Sequence, residues 1–286
     1  MANTDLASLD DRGGSRTLAG SMMSGTTDGK TRVREYWTNV GDEILRRSAS
    51  ATIAGDDTPF QRYKAARCAE LFSAVPIRDR SVLEVGCGPG GNLMRLSGLE
   101  PRRLVGCDIS PSMLTAARRN AAGRVPVVQI DGVRLPWPSA SFDVAFTVTV
   151  LQHDDDDAML AGLLAELARV TTTWIYLFED TARVEKADAG YVRRPVDWYA
   201  TRLLPLGFTL TDERFLRVRV SEIVSQFARR WLPHRHEGAP VSKAISAGER
   251  ATLVVTKPLD RMLPTRAGLC RMTFRRTSSA DYAVVA

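Results

Sequence analysis

Apolar positions along this chain fall into two regimes. In the first 76 residues they mark helices. Arg32–Arg47 reads as one, with Tyr36 and Trp37 near its start. Phe60–Val75 reads as another, because Cys68, Leu71, Phe72 and Val75 return every three or four residues. Thr58 stands where an N-cap belongs, and Pro59 suits the first turn. From Ser81 onward, short apolar runs alternate with amphipathic stretches. "SVLEVG", "RLVGCD", "VPVVQID", "FDVAFTVTV" and "TTWIYLFED" predict five strands. Between them lie a helix opening at Gly90, a helix capped by Ser110 with Pro111 first, and a helix over Met159–Val170. "DWYATRLLPLGFTLTDERFL" adds a helix, a glycine turn and a sixth strand, and "GLCRMTFRR" a seventh. Strands alternating with helices predict a mostly parallel sheet covered on both faces.

The stretch Arg217–Arg266, before the last strand, is longer than a minimal α/β domain needs. Within it Ile223, Val224, Phe227 and Trp231 recur at helical spacing beside Arg229 and Arg230. The predicted organisation is therefore a Gly/Ser/Thr/Asp-rich, disordered lead over 1–30, a helical cap over 31–76, and a core over 77–214. Residues 215–286 would supply an insertion and the last strand of the same domain. The 286 residues suffice for one such domain with a substantial core.

Composition narrows the class. Hydrophobic content of 44% and charged content of 25% are those of a soluble globule. No apolar run approaches the ~18–20 residues of a membrane-spanning helix. Cys68, Cys87, Cys107 and Cys270 are scattered without a C-x-x-C pair, which points to a reducing cytoplasm. No metal site is expected: His234 and His236 flank Arg235 with no third ligand nearby. The net charge of +6 is uneven, since residues 181–286 carry 19 Lys+Arg against 10 Asp+Glu. A basic C-terminal part suits an anionic substrate, a phosphate or a membrane surface.

The candidate chemistry begins at "LEVGCGPGG", Leu83–Gly91. Gly86, Gly88 and Gly91 satisfy G-x-G-x-x-G, a dinucleotide spacing. Gly86, Gly88 and Gly90 satisfy G-x-G-x-G, a spacing for S-adenosylmethionine (SAM). Asp108, ending the second strand, suits two ribose hydroxyls under either reading. Glu84 works against a pyrophosphate, because a carboxylate before the glycines suits a cation, and SAM carries a sulfonium and an ammonium. Asp131 follows the third strand, where it can accept from the exocyclic amine of adenine while Gly132 offers its amide.

Taken together, "VLEVGCGPGGNL", "GCDISPSML", "QIDGVRLPWPSASFDVAF" and "VLQH" resemble the class I SAM-dependent methyltransferases, most closely the small-molecule group known as methyltransferase type 11. The resemblance covers about Ser81–Leu210. It implies a Rossmann-like seven-stranded fold, with SAM as cofactor. It places Glu84, Gly86, Gly88 and Gly90 along the methionine part, Asp108 on the ribose, Ile109 and Met113 near the adenine, and Asp131 and Gly132 at its edge.

Methyl transfer from a sulfonium is an in-line displacement that positioning can largely catalyse, so a general base is optional. His153 is the candidate base, for an acceptor that is a hydroxyl. Glu179 and Asp180 are candidates to orient such an acceptor. Tyr63 is read as closing over SAM. Tyr191, Arg193, Arg194, Trp198 and Tyr199 are read as walls of the acceptor pocket. Where a D/N-P-P-Y/F sequence would mark base-amine methylation the chain reads "TVTVLQ", so a nucleic-acid acceptor is not expected. The expected acceptor is a small molecule, anionic or lipid-linked, such as a natural product or sugar. A SAM-binding partner protein without catalysis and an NAD(P)-dependent oxidoreductase are the rival readings.

Overall fold

The computed structural model describes residues 29–47, 52–54, 57–188, 191–230, 241–263 and 265–277. The N-terminal lead to residue 28, Trp231, His234 and His236 lie outside them, as do the side chains of Arg229 and Arg230. Two helices come first, α1 (Gly29–Arg47) and α2 (Pro59–Leu71). Thr58 caps α2 by accepting from the Gln61 amide, with Pro59 at the first position. Alternation then begins: β1 (Ser81–Val85), α3 (Gly91–Ser97), β2 (Arg103–Asp108), α4 (Pro111–Asn120), β3 (Val127–Gln129), β4 (Phe142–Val148), α5 (Asp157–Val170) and β5 (Thr171–Thr181). A ribbon of β6 (Lys186–Asp188) and β7 (Tyr191–Arg193) leads to α6 (Val196–Leu203) and β8 (Phe208–Phe215). Two further helices, α7 (Arg219–Arg230) and α8 (Lys243–Met262), precede β9 (Gly268–Arg276).

Seven strands form one sheet in the order β3-β2-β1-β4-β5-β9-β8. The first five run parallel, and β9 enters antiparallel between β5 and β8. Alternate residues of each strand point to opposite faces, so the sheet divides its core in two. Leu83, Ile175, Leu177 and Phe274 pack with Leu164 and Leu167 of α5 on one side. Val82, Phe146 and Phe178 pack with Leu93 of α3 and Leu114 of α4 on the other. On that second side Phe72, just after α2, stacks on Phe178 at 4.4 Å and meets Phe146 edge-on at 5.3 Å, which seats α2 on the sheet.

The predicted fold class is the one observed, with two additions. The β6–β7 ribbon was not anticipated; its strands are three residues long, too short for a periodic signal. The insertion holds two helices, and they pack by polar residues. α8 turns Glu249, Leu253, Thr256 and Asp260 inward. Glu249 accepts from the Phe60 amide at the start of α2 (3.0 Å) and from Ser225 Oγ (3.0 Å). Asp260 accepts from the Val220 and Ser221 amides at the start of α7, from Ser221 Oγ and from Tyr63 Oη. Two buried carboxylates on one helix thus satisfy the unpaired amides at the starts of two others, where the helix dipole favours negative charge.

Candidate cofactor and acceptor site

The carboxyl ends of β1, β2 and β4 lie side by side where the strand order reverses, the place at which open parallel sheets form a ligand crevice. At β1 the chain turns on Gly86, whose amide donates to the Cys107 carbonyl at 2.8 Å. Gly86 has φ +74°, and a Cβ there would lie 2.3 Å from Val150 Cγ2, so any side chain is excluded on both counts. Asp108 clamps the loop from β2: Oδ2 accepts from the Gly88 amide and Oδ1 from the Ser110 amide, each at 2.8 Å. Each oxygen keeps a second acceptor site. Burial raises the Asp108 pKa, against the lowering effect of these amides.

Glu84 lies deeper. It is 1% exposed; Oε1 accepts from Asn92 Nδ2 at 2.9 Å, and Oε2 is buried without a hydrogen-bond partner. Burial, and after it the charge of Asp108, push its pKa up to about 8, while the Asn92 bond pulls the other way. A buried carboxyl oxygen without a partner is costly, and a cationic ligand group would relieve the cost. A pyrophosphate would offer Glu84 Oε2 no donor and would meet the Asp108 carboxyl besides. The residues fit SAM.

At the far end of the crevice Gly132 has φ +89°, and the space a Cβ would need is 3.0 Å from Ile109 Cδ1, so these two residues adjoin as expected. Asp131 Oδ1 accepts from the Val133 and Arg134 amides at 2.9 and 2.8 Å. Those bonds, the one from Arg134 foremost, lower its pKa, so the exposed carboxylate is ionised. Met113 and Tyr63 have partners in other elements. Met113 is 1% exposed and packs with Val40 and Ile44 of α1. The Tyr63 hydroxyl donates to Asp260, and the Lys257 ammonium lies 5.1 Å from its ring centroid, so this tyrosine faces α8.

Beyond β4 the chain makes a strained turn. Thr149, β-branched, has φ +54°. Glu179 of β5 holds this turn: its carboxylate accepts from Thr147 Oγ1 (2.7 Å), the Val150 amide (3.0 Å) and the Leu151 amide (3.0 Å). That role replaces the acceptor-orienting one read for Glu179. The turn delivers His153 between two rings, Trp37 at 4.9 Å and Tyr191 at 5.3 Å between centroids. Burial lowers the His153 pKa to about 4, so the imidazole is neutral at physiological pH. Tyr191 donates to Asp180 Oδ2 at 2.7 Å, and Lys64 reaches Glu222 at 3.6 Å beside them. Trp37 also accepts Ser110 Oγ on its carbonyl, tying α1 to the cap of α4.

Of the residues read as pocket walls, Tyr191 faces His153, whereas three others belong to the frame. Arg194 is 1% exposed and ties down the loop before α5, through Nε to Asp157 Oδ1 and Nη2 to the Asp154 carbonyl. The Arg194 and Arg202 guanidinium groups lie 4.8 and 3.6 Å from the Trp198 ring centroid, and Tyr199 is wholly buried. Asp143, in the "SFDVAF" motif, holds the Ser81 amide and Arg102 at the opposite end of the sheet. Sequence reasoning missed Asn92, Gln152 and the segment 52–54. Asn92 stands one residue past the glycines, a position from which a helix start reaches back to β1. Gln152 Oε1 accepts from the Asp180 amide at 2.7 Å. The Thr52 carbonyl lies 2.3 Å from the place a Cβ on Gly91 would take, and Ala54 Cβ 3.7 Å from that on Gly88, so 52–54 lies across the loop.

Comparison with known proteins bears on the fold. Residues 82–173 match the family model described as a methyltransferase domain. A curated relative from Shewanella sp. (strain W3-18-1), a tRNA U34 carboxymethyltransferase, is 27% identical over 203 residues, 64% of this chain and 61% of that protein. The O-methyltransferase cnsE of Penicillium expansum is 29% identical over 99 residues, 33% of this chain and 36% of the relative. The chain thus spans less than two thirds of the length of the curated relatives it matches. Among solved structures, the [4+2]-cyclase SpnF superposes with a TM-score of 0.60 at 17% identity, over 88% of this chain and 98% of that one. The magnesium protoporphyrin IX methyltransferase ChlM of Synechocystis PCC 6803, with bound SAM, gives 0.56 at 15% identity, over 89% and 100%. Residues 82–173 therefore resemble the methyltransferase-domain family, and the chain carries the class I SAM-dependent methyltransferase fold.

Proposed function

We propose that this protein is a SAM-dependent methyltransferase acting on a small-molecule acceptor, most simply by O-methylation. One observation carries the cofactor: the partnerless, buried oxygen of Glu84 behind the glycine turn, beside Asp108. Bound there, SAM would supply an activated methyl group on a sulfonium. Glu84 would face its ammonium end, Asp108 its ribose, and Ile109, Asp131 and Gly132 its adenine. Segment 52–54 would exclude water over Gly88 and Gly91. Methionine Met113 and Tyr63 are left out of this set, since α1 and α8 engage them.

The acceptor site is read as the space bounded by Trp37, His153 and Tyr191, with Asp180 and Lys64 behind. His153 is the base in this reading, neutral at pH 7 but weakened by the burial that lowers its pKa to about 4. The helices at 29–71 and the insertion at 217–267 would cap this space. A reducing cytoplasm fits the four buried, unpaired cysteines.

An RNA acceptor is the second reading, supported by the name of the Shewanella relatives and by the basic residues 181–286. Fold alone does not decide the reaction, since SpnF is titled a cyclase. The test is calorimetric titration with SAM, S-adenosylhomocysteine and NADPH, repeated on Asp108→Ala and Asp131→Ala. Micromolar binding of the first two, weakened in both variants, is the expected result. Binding of NADPH with SAM silent overturns the reading. Transfer of labelled methyl to tRNA, and to no small hydroxylated compound, would move the acceptor to the second reading.

A further inference from the structure

The helices α7 and α8 are turned inside out. A surface helix normally buries its apolar stripe and offers its polar face to water. In α8 the inward stripe is Glu249, Leu253, Thr256 and Asp260. At 100° per residue the opposite side carries Ala251, Val254, Val255, Pro258, Leu259 and Met262. The four largest of these are 74% (Val254), 64% (Val255), 40% (Leu259) and 77% (Met262) exposed. α7 repeats the arrangement: Ser221 and Ser225 are buried, while Ile223 and Phe227 are 50% and 60% exposed. The orientation is fixed by the polar seam, because turning either helix over would strand Asp260 and Glu249 without their donors. Isolated exposed apolar residues need no explanation, but a strip along two neighbouring helices marks a binding surface.

Charge identifies the occupant. Lys243, Arg250, Lys257 and Arg261 fall in one row along an edge of the α8 strip. Both carboxylates of α8, Glu249 and Asp260, are buried, and Glu222 of α7 faces Lys64 and Arg219. The outer surface of the pair is therefore apolar and cationic, with no exposed carboxylate on either helix. A second copy docking by the same face would bring two cationic rows together. RNA would engage the cations, but bases stack on aromatic rings, and the strip is aliphatic apart from Phe227. An anionic bilayer matches both parts: headgroups take the cations and the acyl boundary takes the aliphatic side chains.

We propose that the outer faces of α7 and α8 dock this protein on an anionic lipid bilayer. The proposal stands on these two helices and does not depend on the reaction assigned to the crevice. It is tested by flotation of the full 286-residue chain with vesicles of phosphatidylcholine alone, or of phosphatidylcholine and phosphatidylglycerol in equal parts. The chain is expected to float with the mixed vesicles and not with the neutral ones, less so as salt is raised. Each cation near such a surface is worth about fivefold in binding, so Lys243→Glu/Arg250→Glu should weaken it at least roughly 25-fold. Val255→Glu/Met262→Glu should abolish it. All four positions are exposed, so both variants should melt and bind SAM like the parent protein. No flotation with either vesicle, equal flotation with both, or variants that float unchanged would overturn the proposal. So would a dimer, seen by sedimentation velocity without flotation, that Val255→Glu/Met262→Glu converts to monomer.

Discussion

Glu84 and Glu179 are both buried carboxylates with raised pKa values, yet the structure treats them oppositely. Every acceptor site that Glu179 needs is used on the turn after β4, and the strained Thr149 persists because that grip over-determines it. Glu179→Gln keeps the volume but exchanges one acceptor oxygen for a donor facing backbone amides. It is expected to lower stability by about 2 kcal/mol, read by urea unfolding. In Glu84 one oxygen has no partner within the protein, so Glu84→Gln removes an ionisable group that the protein alone does not support. The variant is expected to melt no lower than wild type at pH 8.5, and to bind SAM at least roughly tenfold more weakly. A variant that melts lower and binds normally would assign Glu84 to the frame instead.

At the scale of elements, the seam between α2, α7 and α8 depends on Asp260. Asp260→Ala strands two backbone amides and the Tyr63 hydroxyl, partly relieved by water at the helix ends, while the Ser221 hydroxyl keeps Thr256 Oγ1 at 2.7 Å. The expected loss is about 2–4 kcal/mol, with faster amide exchange confined to α7 and α8. Uniform exchange across the sheet would show that the insertion does not move as a unit. The same seam marks where sequence reading stopped. Core strands were legible because "SVLEVG" and "TTWIYLFED" are apolar runs with no other stable place than a sheet covered on both faces. Ser110 and Thr58 were legible because caps are local chemistry. The partner of Tyr63 was not legible, because Asp260 is 197 residues away. The α7 pattern revealed a helix, but nothing in its spacing told that Ser221 and Ser225, rather than Phe227, would face inward. Glu84 could be singled out from its place before the glycines. Its need for a partner became visible only once Asn92 was seen to satisfy a single oxygen.

For the whole molecule, these ionisations set the pH response. Glu84 and Glu179 have folded pKa values of about 8 and about 7, above the ordinary 4.5. The folded state therefore binds more protons than the unfolded chain between those limits, and stability falls as pH rises through them. His153 has the opposite sign: its pKa is lowered from 6.5 to about 4, so its contribution is lost as pH falls through that range. The melting temperature of the ligand-free protein should therefore decline from pH 6 to pH 9. Saturating SAM should flatten the decline, because the cation supports ionised Glu84. Binding at pH 7 should also release close to one proton, measured as a difference in calorimetric heat between phosphate and Tris buffers. A decline unaltered by SAM, with no proton released, would remove Glu84 from the cofactor site.

The last two strands carry a consequence for how such a protein can be altered. β8 and β9 are antiparallel neighbours whose ladder runs up to Phe215 opposite Cys270, and the Leu216 amide still reaches the Leu269 carbonyl at 2.7 Å. Strands in that relation can be closed by a two-residue hairpin. Here residues 217–267 make the connection instead, leaving and re-entering the sheet at almost the same point. The helix pair is thus a cassette: a short turn could replace it, or a different pair be spliced in, without disturbing the register of any strand. On the roles proposed above, acceptor preference and bilayer docking could then be exchanged together, while the glycine turn and its carboxylates stay as they are.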